Sequence, residues 1–263
     1  MILELDAGNT RIKWRLRKRN EADNKWFNVA DGFVFAREKT PSVFIDLGRQ
    51  LEKLPMERIS RMLVASVRGD GFKNAFSSLM TEKWHLQPEF ATSVKACCGV
   101  TNAYADVGKL GVDRWLAMLA AYQREKGACC IVDCGTTITV DLVDANGRHE
   151  GGYIVPGLQL LRDSLAARSK ALATEQSEWR LTTPGTSTVS AVHNGILRCA
   201  VGFMRDMQLE NEKSGVLRGW YFTGGDANVL LPHVDWQTKH ESDLVLDGLE
   251  LAMFSQVEFG VVS

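Results

Sequence analysis

The sequence has few of the features that mark specialised classes of protein. Its six cysteines among 263 residues include no C-x-x-C pair, which is too little for a disulfide scaffold and gives only a weak signal for zinc. No apolar run is long enough for a membrane-spanning helix, and the 31 basic and 32 acidic residues leave no excess charge for nucleic acid or a membrane surface. We therefore expect a cytoplasmic protein with reduced thiols that binds neither nucleic acid nor membrane.

An internal repeat is the main feature that the sequence does contain. An apolar strand that ends in aspartate, a glycine-containing turn and an alternating strand occur in this order twice. Asp6 ends the first copy of the strand and Asp133 ends the second, and 133 − 6 = 127 residues is close to half of the chain. This repeat predicts an α/β protein with two similar domains, residues 1–112 and 113–263.

The remaining sequence patterns predict the helices and strands around the repeat. Apolar residues at helical or alternating spacing predict helices over 42–54, 73–84, 113–126 and from Gly157 to about Lys170, and strands over 59–67, 128–133, 138–143 and 220–222. Asn146-Gly147 predicts a hairpin turn. In the second strand of the chain, basic residues alternate with apolar ones, and we interpret Arg15 to Arg19 as the solvated face of an edge strand.

Each copy of the repeat carries a motif suited to binding phosphate. The motif is Asp-x-Gly followed by Asn-Thr or Thr-Thr, at Asp6, Gly8, Asn9 and Thr10 and again at Asp133, Gly135, Thr136 and Thr137. Glycine lets the backbone approach an anion closely, successive N–H groups can point at its oxygens, and the threonine adds a hydroxyl donor. The aspartate would repel phosphate, but it can hold Mg²⁺ or order its waters. Aspartate, glycine and asparagine are also common turn residues, and only the recurrence of the motif favours the functional interpretation.

Two further segments are candidates for the site. An apolar strand at Trp220–Phe222 leads to Gly224-Gly225, where the backbone has room to approach a base or ribose. In Leu110–Arg114, Asp113 lies at a predicted helix start, where it is either an N-cap or a general base for a substrate hydroxyl. Under the second interpretation Arg114 binds an anionic group of the substrate.

Taken in order along the chain, these motifs resemble those of type III pantothenate kinases, in the actin/sugar kinase/Hsp70 superfamily. The matching segments are residues 6–10, 110–114, 133–137, 151–157 and 223–225. The resemblance spans nearly the whole chain. It implies two duplicated ribonuclease-H-like domains with the active site in the cleft between them, a homodimer, and phosphorylation of pantothenate by ATP as the first step of coenzyme A synthesis.

The resemblance also implies a role for each matching residue. Asp113 would be the catalytic base, Asp6 would support Mg²⁺ or another divalent cation through water, and Asp133 would bind K⁺ or NH₄⁺. The nucleotide and its phosphates would contact Gly8, Asn9, Thr10, Lys13, Gly135, Thr136, Thr137, Gly224 and Gly225. Pantothenate would contact Tyr104, Gly111, Val112, Arg114 and Thr188, the last of these from across the dimer interface.

Two other hypotheses remain open at this stage. One is a kinase of the same superfamily that acts on a sugar or a small carboxylic acid. The other is a non-catalytic regulator, since some relatives of the family have been described as accessory factors for transcription. Asp6, Asp113 and Asp133 argue against the regulator, because a scaffold does not need carboxylates at these turn and helix-start positions.

Overall fold

The computed structural model describes residues 1–23, 25–36, 40–169, 172 and 179–258. Contacts divide the chain into two compact units. Unit 1 contains residues 1–120 and the C-terminal segment from Leu244, and unit 2 contains residues 121–243. The two domains that we predicted from the internal repeat, residues 1–112 and 113–263, stay a prediction. Within the described residues, no helix combines the length and the apolar character that crossing a bilayer requires.

Unit 1 is built on a five-stranded sheet. Its strands are β1 (Ile2–Ala7), β2 (Arg11–Arg19), β3 (Trp26–Phe35), β4 (Arg61–Ser66) and β5 (Pro88–Phe90), in the spatial order β3-β2-β1-β4-β5. The first three form an antiparallel meander, and β1 pairs in parallel with β4, as β4 does with β5. The parallel connections run through helices α1 (Thr40–Leu51) and α2 (Asp70–Trp84). Apolar side chains of both helices cover one face of the sheet, in a core that includes Leu5, Leu47 and Phe76.

A short hairpin and a long helix follow this sheet. The hairpin consists of β6 (Ala96–Cys97) and β7 (Val100–Thr101), and the helix is α3 (Val112–Glu125). The structure confirms the helix predicted over 113–126. Its first turn begins where Trp115 N–H donates to the carbonyl of Gly111 at 3.0 Å.

Unit 2 repeats the sheet of unit 1. Its strands are β8 (Cys129–Cys134), β9 (Thr137–Val143), β10 (His149–Pro156), β11 (Gly219–Thr223) and β12 (Lys239–His240), in the order β10-β9-β8-β11-β12. Its helices are α4 (Leu158–Arg168), α5 (Thr188–Ser214) and α6 (Ala227–Leu230). Strand for strand, the order and directions match those of unit 1. The predicted internal repeat and the Asn-Gly turn, where Gly147 has a φ of 78°, are both confirmed.

The last helix, α7 (Leu244–Glu258), packs against β1 and β4 of unit 1. It explains why our interpretation of β2 was wrong. β2 lies between β1 and β3 and is not an edge strand, and Arg15 is only 4% exposed. Its guanidinium donates to Glu4 and to Asp247 of α7, each at 2.5 Å. The basic residue is buried because acidic partners from β1 and α7 surround it, and α7 is more than two hundred residues away in sequence.

Candidate active site

The two phosphate-binding motifs occupy equivalent positions in the two sheets. Asp6 is the second-last residue of β1 and Asp133 is the second-last residue of β8, and these are the central strands of their sheets. In each unit the glycine-threonine loop follows at the carboxyl end of that strand, beside the end of a parallel neighbour. This edge is where open α/β sheets place their ligands.

The first loop, residues 8–10, is a tight connection between β1 and β2. A Cβ at Gly8 would lie 3.1 Å from the carbonyl oxygen of Arg11, closer than most side chains approach. The loop is fixed at its other end by a 2.8 Å hydrogen bond from Ala36 N–H to the carbonyl of Thr10. Lys13 is paired directly with Asp6 in the β1–β2 register, so both side chains lie on the same face of the sheet.

The second loop, residues 135–136, is packed against the end of β10. Gly157 N–H donates to the carbonyl of Thr136 at 3.0 Å, and Gly135 N–H donates to Thr137 at the same distance. A Cβ at residue 157 would overlap the carbonyl oxygen of Gly135 and lie 2.7 Å from that of Thr136. The last glycine of the 151–157 motif is therefore needed for this close approach. Thr136 is exposed at the tip of the loop.

The Gly224-Gly225 turn also lies against the second loop. Gly224 has a φ of 89°, and a Cβ there would overlap Asp133 Oδ1 and lie 2.5 Å from the carbonyl oxygen of Cys134. Asp226 N–H donates to that same carbonyl at 2.8 Å. The structure therefore brings Gly224 and Asp133 together. From the sequence we expected glycine at residue 224 only because of nucleotide binding, and the close packing against Asp133 and Cys134 is a second reason for it.

Asp113 lies in the first turn of α3 in unit 1. Its Oδ1 accepts a 2.8 Å hydrogen bond from the backbone N–H of Arg114. A Cβ at Gly111 would lie 2.6 Å from the same oxygen, so glycine at this position leaves the carboxylate its space. The positive end of the helix dipole stabilises a negative charge at this point. The arrangement suits a carboxylate that must be ionised to accept a proton.

Arg114 and Tyr104 form one hydrogen-bonded, partly buried assembly next to Asp113. Arg114 is 7% exposed, and its Nη1 donates to the Tyr104 hydroxyl at 3.0 Å. Tyr104 N–H in turn donates to Oδ1 of Asn102 at 2.9 Å. Asn102 is fully buried, and its amide nitrogen reaches the carbonyls of Val94 and Val107. Sequence reasoning missed Asn102, because a single asparagine in an irregular segment gives no periodic or motif signal.

Thr188 is distant from these residues in sequence and belongs to unit 2, whereas they belong to unit 1. It is the first residue of α5 in unit 2, it is exposed, and it follows Ser187, whose hydroxyl caps the helix through Ser190 N–H. Its predicted role across a dimer interface stays a prediction.

Among the residues that the structure describes, no three His, Cys, Asp or Glu side chains cluster as a metal site would require.

Two ribonuclease-H-like sheets of the same order, each with a glycine-threonine loop after its central strand, define the actin/sugar kinase/Hsp70 class of proteins. The activator of 2-hydroxyisocaproyl-CoA dehydratase from Clostridium difficile, solved with bound ADPNP, has this fold. It aligns with a TM-score of 0.53 and 14% identity, over 100% of this chain and 98% of that chain.

Within this class, the chain belongs to the type III pantothenate kinase family, whose model matches residues 2–209. A type III pantothenate kinase from Alcanivorax borkumensis is 38% identical over 256 residues, which is 95% of this chain and 97% of that relative. One from Cellvibrio japonicus is 37% identical over 257 residues, which is 95% and 96% of the two chains.

Proposed function

We propose that this chain is a pantothenate kinase, which transfers the γ-phosphoryl group of ATP to pantothenate and forms 4'-phosphopantothenate, the first step of coenzyme A synthesis. Its family, and relatives of that name matched over nearly their whole length, support this activity. Phosphoryl transfer requires phosphates that are held, charge that is neutralised and a hydroxyl that is oriented. The observation that carries the proposal is the Asp113 carboxylate at the start of α3, beside the buried Arg114.

In the proposed reaction Asp113 accepts the proton of the pantothenate hydroxyl as the new O–P bond forms. The helix N-terminus and the hydrogen bond from Arg114 N–H both stabilise its ionised form. Arg114 binds the pantothenate carboxylate, and Tyr104 fixes the guanidinium in place. Gly111 and Val112 complete the proposed pantothenate pocket, and Thr188 is proposed to reach it from a second copy of the chain across a dimer interface.

The two loops hold the nucleotide in this proposal. Their backbone N–H groups and threonine hydroxyls donate to phosphate oxygens, and the Lys13 ammonium adds a positive charge. The residues involved are Gly8, Asn9, Thr10, Lys13, Gly135, Thr136 and Thr137. Gly224 and Gly225 lie beside the second loop and are proposed to accommodate the adenosine end.

The residues present also fit the cations that such a kinase uses. Asp6 offers carboxylate oxygens, the ligands that Mg²⁺ prefers, and a divalent cation would neutralise charge on the β- and γ-phosphates. At the second loop, Asp133 Oδ1 and the carbonyl oxygen of Cys134 both lie against Gly224, so close that a Cβ there would overlap them. These oxygens would hold K⁺ or NH₄⁺, which would supply positive charge near the phosphates.

A coupled kinase assay tests the proposal. With ATP, Mg²⁺ and K⁺ present, we expect ADP release with pantothenate and much slower release with sugars or acetate. Faster turnover of a sugar or a small acid would instead identify another kinase of the superfamily. Calorimetric titration with ATP under the same conditions tests the hypothesis of a non-catalytic regulator. Absence of measurable ATP binding would support that hypothesis.

We also propose that the chain forms a homodimer through unit 2 and acts in the cytoplasm. Large apolar side chains are exposed on adjoining elements there, namely Tyr153 and Ile154 of β10, Leu160 of α4 and Val189 of α5. Exposed apolar groups of this kind are typical of protein interfaces. Because Thr188 is next to Val189, its side chain would lie at such an interface. Sedimentation velocity of the wild type and of Ile154→Asp tests this, since the charge should shift the protein to monomer.

A further inference from the structure

The hairpin of β6 and β7 holds two adjacent cysteines in an uncommon conformation. Its two-residue turn consists of Cys98 and Gly99, whose φ values are 48° and 79°. Positive φ at both turn residues is typical of the type I′ hairpin, but a non-glycine residue rarely adopts it. The turn places the Cys97 and Cys98 sulfurs 3.5 Å apart. Adjacent residues in a regular strand would instead point to opposite faces.

The C-terminal helix of the same unit supplies a third polar group to this pair. The hydroxyl of Ser255 in α7 lies 3.3 Å from the Cys97 sulfur and 3.6 Å from the Cys98 sulfur. The Cys98 thiol also reaches the carbonyl of Leu251 at 3.7 Å. Both cysteines are partly exposed. The two thiols therefore form a small polar cluster that a solute of low molecular weight can reach.

The two thiols differ in acidity. The hydrogen bond from the Cys98 thiol, with a smaller contribution from Ser255, lowers the pKa of Cys97 to about 6. The same bond, together with burial, raises the pKa of Cys98 above its usual range. Cys97 is thus the more acidic thiol of the pair, and Cys98 is its neighbour. A low-pKa, accessible cysteine beside a resolving cysteine is the arrangement found in redox-sensitive sites.

The other cysteines lack this combination. Burial raises the pKa of Cys129 to about 12, and it also raises the pKa of Cys130 and Cys134. Cys199 is exposed on α5, without a second cysteine beside it in sequence. Cys199 therefore provides a control for accessibility alone.

We propose that Cys97 and Cys98 form an oxidation site for hydroperoxides, which closes to a disulfide between the two adjacent residues. The Cys97 thiolate attacks one peroxide oxygen, the O–O bond breaks, and the released hydroxide takes a proton to become water. The Cys98 sulfur then attacks the sulfenic sulfur of Cys97, the S–O bond breaks, and the leaving hydroxide takes the Cys98 thiol proton and departs as a second water. Two thiols lose two electrons in total, and one hydrogen peroxide molecule is reduced to two waters.

The geometry brings the two sulfurs close together and makes the bond between them easy to reverse. The sulfurs must approach from 3.5 Å to about 2.05 Å, which the hairpin can allow through side-chain rotation and a small backbone shift. Adjacent Cα atoms are about 3.8 Å apart, shorter than the roughly 4.4–6.8 Å of ordinary disulfides. The ring is therefore strained, and strained disulfides are the readily reduced ones.

Peptide mapping of the full-length protein after brief treatment with hydrogen peroxide tests the proposal. We expect a peptide containing residues 97 and 98 that has lost two hydrogen atoms and regains them with a dithiol reductant. Cys98→Ser should stop at a sulfenic acid on Cys97 that a 1,3-dione traps, and Cys97→Ser should abolish the disulfide. Cys199→Ser is the matched control and should behave as the wild type.

Two results would overturn the proposal. The first is wild-type protein in which Cys199 is oxidised while the 97–98 peptide is unchanged. The second is oxidation of Cys97 to sulfinic acid in wild type and Cys98→Ser alike, since this shows that Cys98 does not resolve the sulfenic acid. Far-UV circular dichroism of each variant before treatment shows that the fold is intact.

Discussion

At the scale of single residues, Asp113 is the second residue of α3 and therefore lies inside its first turn. Its carboxylate accepts the Arg114 N–H, as an aspartate that stabilises a helix start would, and it lies beside the assembly of Arg114 and Tyr104. The sequence left the N-cap and the general base as alternatives. In the structure Gly111, whose carbonyl accepts the first helical hydrogen bond, occupies the N-cap position instead of Asp113, and the general-base role of Asp113 stays a prediction.

Replacing Asp113 by Asn tests the proposed base at this scale. The Asn side-chain oxygen can still accept from Arg114 N–H, so the helix start should persist while the proton acceptor is lost. We expect kcat for pantothenate phosphorylation to fall by roughly 10²–10⁴-fold. Asp70→Asn is the matched control, because Asp70 is also a carboxylate in the first turn of a helix in unit 1. Equal activity of the two variants would exclude Asp113 as the base.

Glu4 gives a second prediction at the residue scale, which concerns stability. Burial raises the pKa of Glu4 to about 7, from an ordinary value of 4.5, although Arg15 opposes this shift. Between these values the folded state binds the proton more tightly than the unfolded state. The free energy of unfolding should therefore fall as pH rises from about 4.5 to 7, and change no further above that range on account of this group.

Calorimetric melting of wild type and Glu4→Gln across this pH range measures the effect. The wild type should lose up to about 3 kcal/mol relative to Glu4→Gln between pH 4.5 and 7. Glu57→Gln, which changes an exposed carboxylate in unit 1, controls for loss of charge. Parallel curves for wild type and Glu4→Gln would show that the pKa of Glu4 is not raised.

At the scale of elements, the glycine motifs hold loops together as much as they leave room for ligands. Gly157 immediately precedes α4 and Gly224 immediately follows β11, and both lie against the backbone of the second loop. The sequence could indicate these loops because the motif recurs after equivalent strands. It could not indicate β3, whose apolar residues Phe33 and Phe35 remain largely exposed, or the burial of Arg15, which depends on contacts with α7. Those features arise from long-range packing, which local patterns do not contain.

Gly157→Ala tests the role of this packing. A methyl group at residue 157 would collide with the backbone oxygens of the second loop and displace Thr136. We expect KM for ATP to rise by about tenfold or more and stability to fall by about 1–3 kcal/mol. Gly195→Ala in α5 is the control, because a Cβ there meets nothing within 4 Å and alanine favours a helix. The two measurements are steady-state kinetics and the melting temperature. A Gly157→Ala protein with unchanged KM would show that the loop tolerates the displacement.

At the scale of the whole molecule, unit 1 is completed by residues from the end of the chain. Gly248 of α7 lies so close to α3 that an added Cβ would overlap the carbonyl of Leu116 and lie 2.9 Å from its Cα. Neither neighbour is a flexible side chain, so the helices would have to separate. Opposite charges are also paired locally, as Arg15 is with Glu4 and Asp247. This pairing agrees with the near-zero net charge of the whole chain.

We therefore expect the Gly248→Ala substitution to lower the stability of unit 1 only. We expect about 1–3 kcal/mol of destabilisation. Hydrogen exchange should increase in β1 and β4, which pack on α7, and remain unchanged in β8 and β11 of unit 2. Gly202→Ala in α5, where a Cβ meets nothing within 4 Å, provides the comparison. Uniform loss of protection in both sheets would contradict a local role for α7.

The division of unit 1 between the two ends of the chain also sets an order of events during synthesis. A ribosome releases residues 121–243 before it releases α7, so the nascent chain can complete the later unit while the earlier one still lacks a helix. Until Asp247 emerges, Arg15 has only Glu4 of these two acidic partners, and the faces of β1 and β4 that α7 covers remain open. In this protein β1 and β2 are made before unit 2, yet they reach their final environment only after α7 has been made.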